Sequence, residues 1–419
     1  MIKVLLKAPL LTQSGYGHHG RTILRALRTR EDKYDIYVQA ITWGQTSWTC
    51  DLNEEREWID QKLQDTLTYA NQGGTFDVSL QVTIPNEWEK LAPINIGVTA
   101  GIETTMVAPQ WIEKGNMMDK IITISEHSRW SYAETKYEAQ NDQTGEKIDF
   151  RCMTPIEYVG YPVRLFEPKA LDLDLETNFN FLAVAQISPR KNLEQLVKCF
   201  VENFRDNEKV GLIIKTNIAK NSLIDRVNTS SKIRTFLSQL GERKCKVYLL
   251  HGRMSEEEMS GLYNHPKVKA AISTTHGEGF GLPLFEAAYY GLPVAATDWS
   301  GHTDFLYKKT KQKNGKIKNK HMFSRISHTL QPVKEEAVWE GVIHKDSMWA
   351  VPEEGSVRMN MEEIYKDHGR FKKRAKELKE WIHEEYSEEK IYTKINSMIL
   401  EKADVATQEI EDLFKELAQ

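Results

Sequence analysis

The segment His276-Gly-Glu-Gly-Phe-Gly-Leu-Pro-Leu-Phe-Glu286 alternates glycines with other residues and spaces two carboxylates, Glu278 and Glu286, eight positions apart. Glycines 277, 279 and 281 let a backbone approach a ligand closely. Pro283 favours the first turn of a helix, and free amides at a helix start suit a phosphate. One acid then lies in the loop and the other a turn into the helix. Acids so placed do not suit proton shuttling between adjacent groups. They suit acceptors for sugar hydroxyls at two points of an extended ligand. In Ile187-Ser-Pro-Arg-Lys-Asn192, the cations Arg190 and Lys191 stand just before an expected helix start, where charge and free amides together favour a diphosphate. Ser14-Gly-Tyr-Gly-His-His19 follows the first expected strand and places Gly15 and Gly17 in a turn. His18 and His19 have no partners at metal-ligand spacing, and they are expected to face the site or cap a helix. Gly101-Ile-Glu-Thr-Thr105 presents Glu103 after another strand, and His251-Gly-Arg-Met254 follows a further one. A catalytic metal in such a site is usually announced by Asp-x-Asp at a strand end. The string Asp172-Leu-Asp174 falls instead in an irregular stretch, so no metal is expected.

The elements that must position these residues follow from periodicity. Short apolar runs rich in β-branched residues predict strands at 2–8, 34–40, 76–82, 94–99, 120–124 and 156–159, with helices at 18–29, 109–117 and 126–139. The pattern breaks over 160–178, then restarts with strands at 180–187, 210–216, 245–250, 268–273 and 293–297 and helices at 191–204, 224–240, 255–264 and 283–290. Such alternation predicts parallel sheets covered by helices on both faces, and open sheets bind ligands beyond the carboxyl ends of their strands. From about 356 the chain is charged and periodically apolar, as solvated helices packed on the domain backs would be.

With 419 residues the chain is long enough for two or three domains. Hydrophobic residues make up 40% and charged residues 28%, which excludes collagen-like, mucin-like and wholly disordered chains. Lys plus Arg is 56 against 60 Asp plus Glu, so no global charge draws the chain to nucleic acid or anionic lipid. The four cysteines, at 50, 152, 199 and 245, form no Cys-x-x-Cys and predict reduced thiols in a cytoplasmic protein. No apolar run reaches membrane-spanning length and the first residues make no signal peptide, which leaves peripheral attachment to a membrane open. Residues 307–325 differ from the rest. Lys308, Lys309, Lys311, Lys313, Lys316, Lys318, Lys320 and Arg325 occur there without an acid. The segment is either a solvated loop, which acids of the helical tail could neutralise, or a grip on a polyanionic acceptor.

The acid pair and its glycine loop resemble the Glu-x7-Glu region of glycosyltransferase family 4, the retaining nucleotide-sugar transferases. The resemblance spans roughly 1–305 well and the helical tail loosely. It implies an α/β chain of two Rossmann-like lobes facing each other across a cleft, the GT-B arrangement, with a helical C-terminal tail. Residues 1–165 would be the acceptor lobe, 166–355 the donor lobe and 356–419 the tail. Glu278 would then hold the transferred sugar and Glu286 the ribose, while Gly279, Phe280, Gly281 and Leu282 offer backbone groups to the diphosphate and sugar. Arg190 and Lys191 match the family's Arg-Lys pair, and Gln186 stands near the position of an earlier Arg. Gly15 and Gly17 match its first glycine turn, and the stretch ending at Met254 matches the segment whose backbone meets the base. Where many relatives carry a His touching the sugar, this chain has Glu103 or Thr104, so Glu103 is a catalytic candidate without an assigned step. The implied reaction is metal- and cofactor-independent transfer from a nucleoside-diphosphate sugar, expected to be a UDP-sugar, to a glycan, lipid-linked sugar or protein. Transfer to modified bases of DNA and a non-catalytic sugar-nucleotide-binding role are the alternatives. A phosphorylase-like or epimerase-like use of the fold would need a pyridoxal lysine or another acid set, and neither is evident. Of Trp43, Trp48, Trp58, Trp88 and Trp111, most should be core and one or two are expected to stack on a sugar or base.

Overall fold

The computed structural model of the chain describes residues 1–49, 51–140, 145, 147–312 and 315–417; Cys50, Lys313 and the Lys311 side chain lie outside the described residues. The chain divides into two α/β units. One comprises Met1–Pro162, Val338–Ser347 and Glu388–Gln419, and the other Val163–Ala337 and Met348–Ser387. Residues 338–347, expected with the second lobe, are tied to the first unit by Asn86, whose Nδ2 donates to the Gly341 carbonyl at 2.8 Å. The last helix joins it too, through Asn396 Nδ2 and the Ala26 carbonyl at 2.8 Å.

The strands of the first unit are β1 (Ile2–Ala8), β2 (Tyr34–Ala40), β3 (Val78–Val82), β4 (Ile94–Thr99), β5 (Lys120–Thr123), β6 (Lys136–Gln140), β7 (Lys147–Arg151) and β8 (Ile156–Tyr158). Six make a parallel sheet in the order β2-β1-β3-β4-β5-β8, and β6 pairs with β7 as a hairpin. Its helices are α1 (Gly15–Arg28), α2 (Glu54–Asn71), α3 (Pro109–Gly115) and α4 (Glu126–Glu134). Central strands are covered on both faces, so Val78-Ser-Leu-Gln-Val82 is buried throughout.

The second unit contains β9 (Phe179–Val184), β10 (Val210–Lys215), β11 (Lys246–Leu250), β12 (Val268–Ser273) and β13 (Val294–Thr297), then the shorter β14 (Tyr307–Lys311), β15 (Ile317–His321), β16 (Ser324–Ile326), β17 (His328–Pro332) and β18 (Met348–Pro352). Its helices are α5 (Leu193–Phe204), α6 (Leu223–Gln239), α7 (Glu256–Tyr263), α8 (Leu282–Tyr290), α9 (Thr303–Leu306), α10 (Glu354–Lys366) and α11 (His368–Glu385). The chain ends in α12 (Glu388–Leu417), which belongs to the first unit. A second parallel sheet runs β11-β10-β9-β12-β13-β16. Phe181, Phe200, Phe204, Leu212 and Ile272 share its core with Val357 and Met361 of α10, so the charged tail is anchored by an apolar stripe. Strand order reverses between β9 and β12 in this sheet and between β1 and β3 in the first, and ligands of open sheets bind beyond the carboxyl ends at such points. Among the described residues, no helix is long and apolar enough to cross a membrane.

Two local expectations are corrected and one helix is added. The helix predicted over 126–139 stops at Glu134, and β6 follows with Tyr137 opposite Phe150. Tyr137 and Ala139 alternate with more exposed neighbours, which is a strand period. The 54–71 segment is a helix that the apolar pattern conceals, because only Ile59 is buried there. The basic segment is a β-hairpin of β14 and β15 in place of an irregular loop.

Candidate active site

The loops that leave β9 and β12 are fastened to each other. Arg190 accepts the His276 amide on its carbonyl at 2.9 Å. Asn192 and Thr274 exchange two further side-chain bonds with each other's carbonyls, at 3.2 and 3.0 Å. This seats Lys191 against Glu278, with Nζ at 2.5 and 2.7 Å from the two carboxylate oxygens. Arg190 Nη1 donates to Glu278 Oε2 at 3.2 Å and to the Gly277 carbonyl at 2.7 Å. Burial alone would raise the Glu278 carboxyl, but Lys191 and Arg190 outweigh it and hold the group down at about 2. Glu278 is therefore ionised at neutral pH. One carboxylate against two cations leaves this cluster net positive, which suits an anionic ligand.

Glu286 lies one turn into α8 and is held differently. Its Oε2 accepts the Tyr263 hydroxyl at 2.8 Å. Burial raises its carboxyl to about 7, and Tyr263 opposes the rise. A small pocket joins Glu278, Gly281 and Tyr263 with Leu182, Ser273 and Leu284. Gly281 sits at φ +93°, a left-handed conformation that glycine adopts without strain, and it turns the chain into α8. Gly279, Phe280 and Leu282 complete this turn, and the Phe280 ring is buried against Phe285 and Phe305.

Further along the same sheet edge, Gln186 is exposed beyond β9 and donates to the Ile218 carbonyl at 2.7 Å. Met254 is half-buried in the turn after β11. That turn is fixed by Lys215, whose Nζ donates to the Gly252 carbonyl at 2.6 Å, and by His251, whose Nε2 meets Asp225 at 2.9 Å. Asp225 also accepts the amides of Ile218, Ala219 and Lys220, and these bonds hold its carboxyl well below the usual range against the cost of burial.

In the first unit, α1 begins at Gly15, three residues earlier than expected, with Ser14 as its cap; Ser14 Oγ accepts the Gly17 amide at 2.9 Å. Gly15 and Gly17 therefore belong to the first helical turn. A Cβ at Gly17 would lie 2.2 Å from the Thr12 carbonyl oxygen, whereas one at Gly15 would meet nothing within 4 Å. Tyr16 between them bonds Thr99 at the end of β4 at 2.8 Å and feels the charge of Glu103, which is half-buried just beyond. The structure thus brings the glycine turn and Glu103 to one edge of this sheet. His19 is buried, which lowers its imidazole to about 3, and the His18 ring meets Tyr161 edge-on. Trp88 and Trp111 are core, Trp43 lies on Tyr16, Arg28 covers Trp58, and Trp48 is 50% exposed.

The lysine hairpin is partly neutralised. Lys308 and Lys320 are directly opposite across β14 and β15, and both bond Glu377 of α11, at 3.2 and 3.0 Å. Among the described residues, no group of three His, Cys, Asp or Glu side chains is placed to hold a metal ion. Sequence reasoning passed over Tyr263, the partner of Glu286, and the Asp225 anchor, because neither lies in a glycine loop.

Residues 169–321 match the family Glycosyl transferases group 1. Sucrose-phosphate synthase of Spinacia oleracea is 31% identical over 135 residues, covering 30% of this chain and 12% of that protein. The serotype-specific mannosyltransferase WbdA of Escherichia coli is 31% identical over 121 residues, 28% of this chain and 13% of that one. The chain thus spans 12–13% of the length of these relatives. Among solved structures, HepE of Anabaena in complex with UDP and glucose superposes with a TM-score of 0.59 at 12% identity, covering 96% of this chain and 100% of that one. Sucrose-phosphate synthase from Thermosynechococcus elongatus gives 0.59 at 12% identity over 96% and 99%. The two Rossmann-like sheets therefore have the GT-B fold. Within that fold, the match to the group 1 glycosyl transferases covers residues 169–321, in the second unit.

Proposed function

We propose that the protein moves a sugar from a nucleoside-diphosphate sugar to an acceptor hydroxyl, with retention at the anomeric carbon and without a metal. The observation that carries this reading is the convergence of Lys191 and Arg190 on Glu278 at the strand-order reversal of the second sheet. In this reading the donor diphosphate lies beside Lys191, Arg190 and the first amides of α8. Their charge stabilises the departing group. The bond between the anomeric carbon and the phosphate oxygen breaks, its electron pair goes to that oxygen, and nucleoside diphosphate leaves. The acceptor oxygen bonds the same face of the anomeric carbon, and its proton passes to the departing phosphate oxygen. Ionised Glu278 accepts hydrogen bonds from sugar hydroxyls, and Glu286 from the ribose. The likeness to HepE, solved with UDP and glucose, supports trying UDP-sugars first. Glycans, lipid-linked sugars and proteins are the acceptor classes to screen, and the free thiols of Cys152, Cys199 and Cys245 suit a reducing cytoplasm. The pairing of Lys308 and Lys320 with Glu377 weakens the case for a polyanionic acceptor.

The test is donor hydrolysis and transfer by purified protein across UDP-, GDP- and ADP-sugars, with and without EDTA. Turnover of a UDP-sugar that EDTA leaves unchanged is the expected result. Activity lost in EDTA and restored by magnesium or manganese rejects the metal-free mechanism. Nucleotide-sugar binding without turnover favours the non-catalytic reading.

A further inference from the structure

The loop that carries Glu278 has a second support, from a segment to which no role has been given. Residues 297–302, from the last residue of β13 onward, run along residues 275–281 and touch them repeatedly. Thr297 Oγ1 donates to the Thr275 carbonyl at 2.8 Å. Ser300 Oγ accepts the backbone N–H of Glu278 at 2.8 Å, and the Gly301 N–H donates to the Glu278 carbonyl at 2.9 Å. Both backbone polar groups of Glu278 are thus held by two consecutive residues. The approach is as close as backbone allows, since a Cβ at Gly301 would lie 1.9 Å from the Gly279 carbonyl oxygen. His302 is fully buried behind them, fixed through Nε2 to the Thr297 carbonyl at 2.6 Å, and its Cβ would be 3.0 Å from one added at Gly281.

Ser300 itself is 4% exposed and sits at φ +74°. Apart from Asn192 it is the non-glycine residue held at positive φ among those described. Glycine or asparagine would occupy that conformation with less strain. A serine persists there only if surrounding structure over-determines it, and its carbonyl is indeed held by Thr303 through both the amide, at 3.0 Å, and the hydroxyl, at 2.7 Å. What serine adds over glycine is the hydroxyl that receives the Glu278 amide.

We infer that Ser300 is a positioning residue: with Gly301 it clamps the Glu278 backbone so that the carboxylate meets the transferred sugar in one orientation. This rests on the donor-site reading above. Glu286 stands on α8 and does not depend on the clamp, so nucleotide affinity and sugar transfer separate. The experiment compares Ser300→Gly and Ser300→Ala in the full chain. Both remove the acceptor, but glycine also relieves the strain, so Ser300→Gly is at least as heat-stable as the parent and more stable than Ser300→Ala. If the clamp positions Glu278, kcat for UDP-sugar hydrolysis falls about tenfold in both variants, in line with one lost hydrogen bond, while UDP affinity by calorimetry stays within about twofold. Backbone hydrogen exchange over 277–281 accelerates in both. A kcat that follows stability, normal in Ser300→Gly and reduced in Ser300→Ala, overturns the inference, and so does unchanged exchange over 277–281. If the parent turns over no nucleotide sugar, the functional reading fails separately, and the exchange measurement still decides the clamp.

Discussion

Lys191 and Glu278 should be strongly coupled in stability, and a double-mutant cycle measures it. The Lys191 and Glu278 side chains are 14% and 10% exposed, so solvent screens the pair little. Glu278 is shifted from 4.5 to about 2. At 1.36 kcal/mol per unit, that preference for the ionised form corresponds to about 3 kcal/mol. Lys191 makes contacts at 2.5 and 2.7 Å, shorter than the 3.2 Å contact of Arg190. Most of the effect, roughly 2 kcal/mol, should therefore be lost in Lys191→Met, which leaves a buried carboxylate with Arg190 alone. Glu278→Gln leaves the cations unopposed, and the double variant removes both problems. Its destabilisation should fall short of the sum of the singles by about 2 kcal/mol. A carboxylate whose folded pKa is depressed contributes stability above its unfolded value, and the contribution fades as pH falls from about 4.5 towards 2. The coupling from urea unfolding of the four proteins should therefore be full at pH 7 and reduced at pH 3. Donor hydrolysis should stay low in the double variant although stability returns. Coupling below about 0.5 kcal/mol at pH 7, or equal coupling at both pH values, refutes the charge-pair account.

Two further outcomes test the rest of the site. Glu286, raised to about 7 by burial, accepts a ribose hydroxyl best when ionised, so UDP affinity should weaken as pH falls from 8 to 6; Tyr263→Phe removes the opposing hydrogen bond and should move that midpoint upward, and a flat calorimetric profile contradicts the assignment. Gly17→Ala drives a Cβ against the Thr12 carbonyl and should lower stability by roughly 2 kcal/mol, whereas Gly15→Ala meets nothing and should stay within about 0.5 kcal/mol; equal thermal shifts would show that the first turn of α1 tolerates both.

The parallel-sheet architecture was legible because buried strands leave near-continuous apolar runs, and Phe179–Val184 and Val210–Lys215 are such runs. The residue types of the candidate site were legible too, since a glycine loop before Pro283 has few uses. Their convergence was not. Lys191 and Glu278 are 87 residues apart, and they meet only because β12 lies beside β9. Strand order is a tertiary outcome that local pattern does not encode. Ser300 escaped notice because the sign of φ decides its role, and a serine in a loop gives no hint of it. The lysine hairpin concealed itself differently. Its alternation sets lysines against asparagine and threonine, so no apolar face marks the strands. Like charges at Lys308 and Lys320 would oppose pairing were Glu377 not supplied by a helix some sixty residues later.

In the proposed donor site the two cations face competing demands, since Lys191 and Arg190 already neutralise Glu278 before any diphosphate arrives. An excess of one positive charge is small against the charge of a departing nucleoside diphosphate. The backbone must carry the remainder, and the helices that start at the strand-order reversal are suited to it. Neither α5 nor α8 has a side-chain cap, because Asn192 and Gly281 enter them in left-handed conformations. By contrast, α6 and α7 of the same unit are capped by Ser222 and Ser255. An uncapped first turn leaves amides and the positive end of the helix dipole for a ligand. Those amides retain their donors when Glu278 is protonated or replaced, and they cannot be drawn away by it as a lysine can. In the proposed mechanism a division of labour follows: Lys191 and Arg190 would fix the carboxylate that orients the sugar, and the uncapped starts of α5 and α8 would share with them the charge that develops as the sugar–phosphate bond opens.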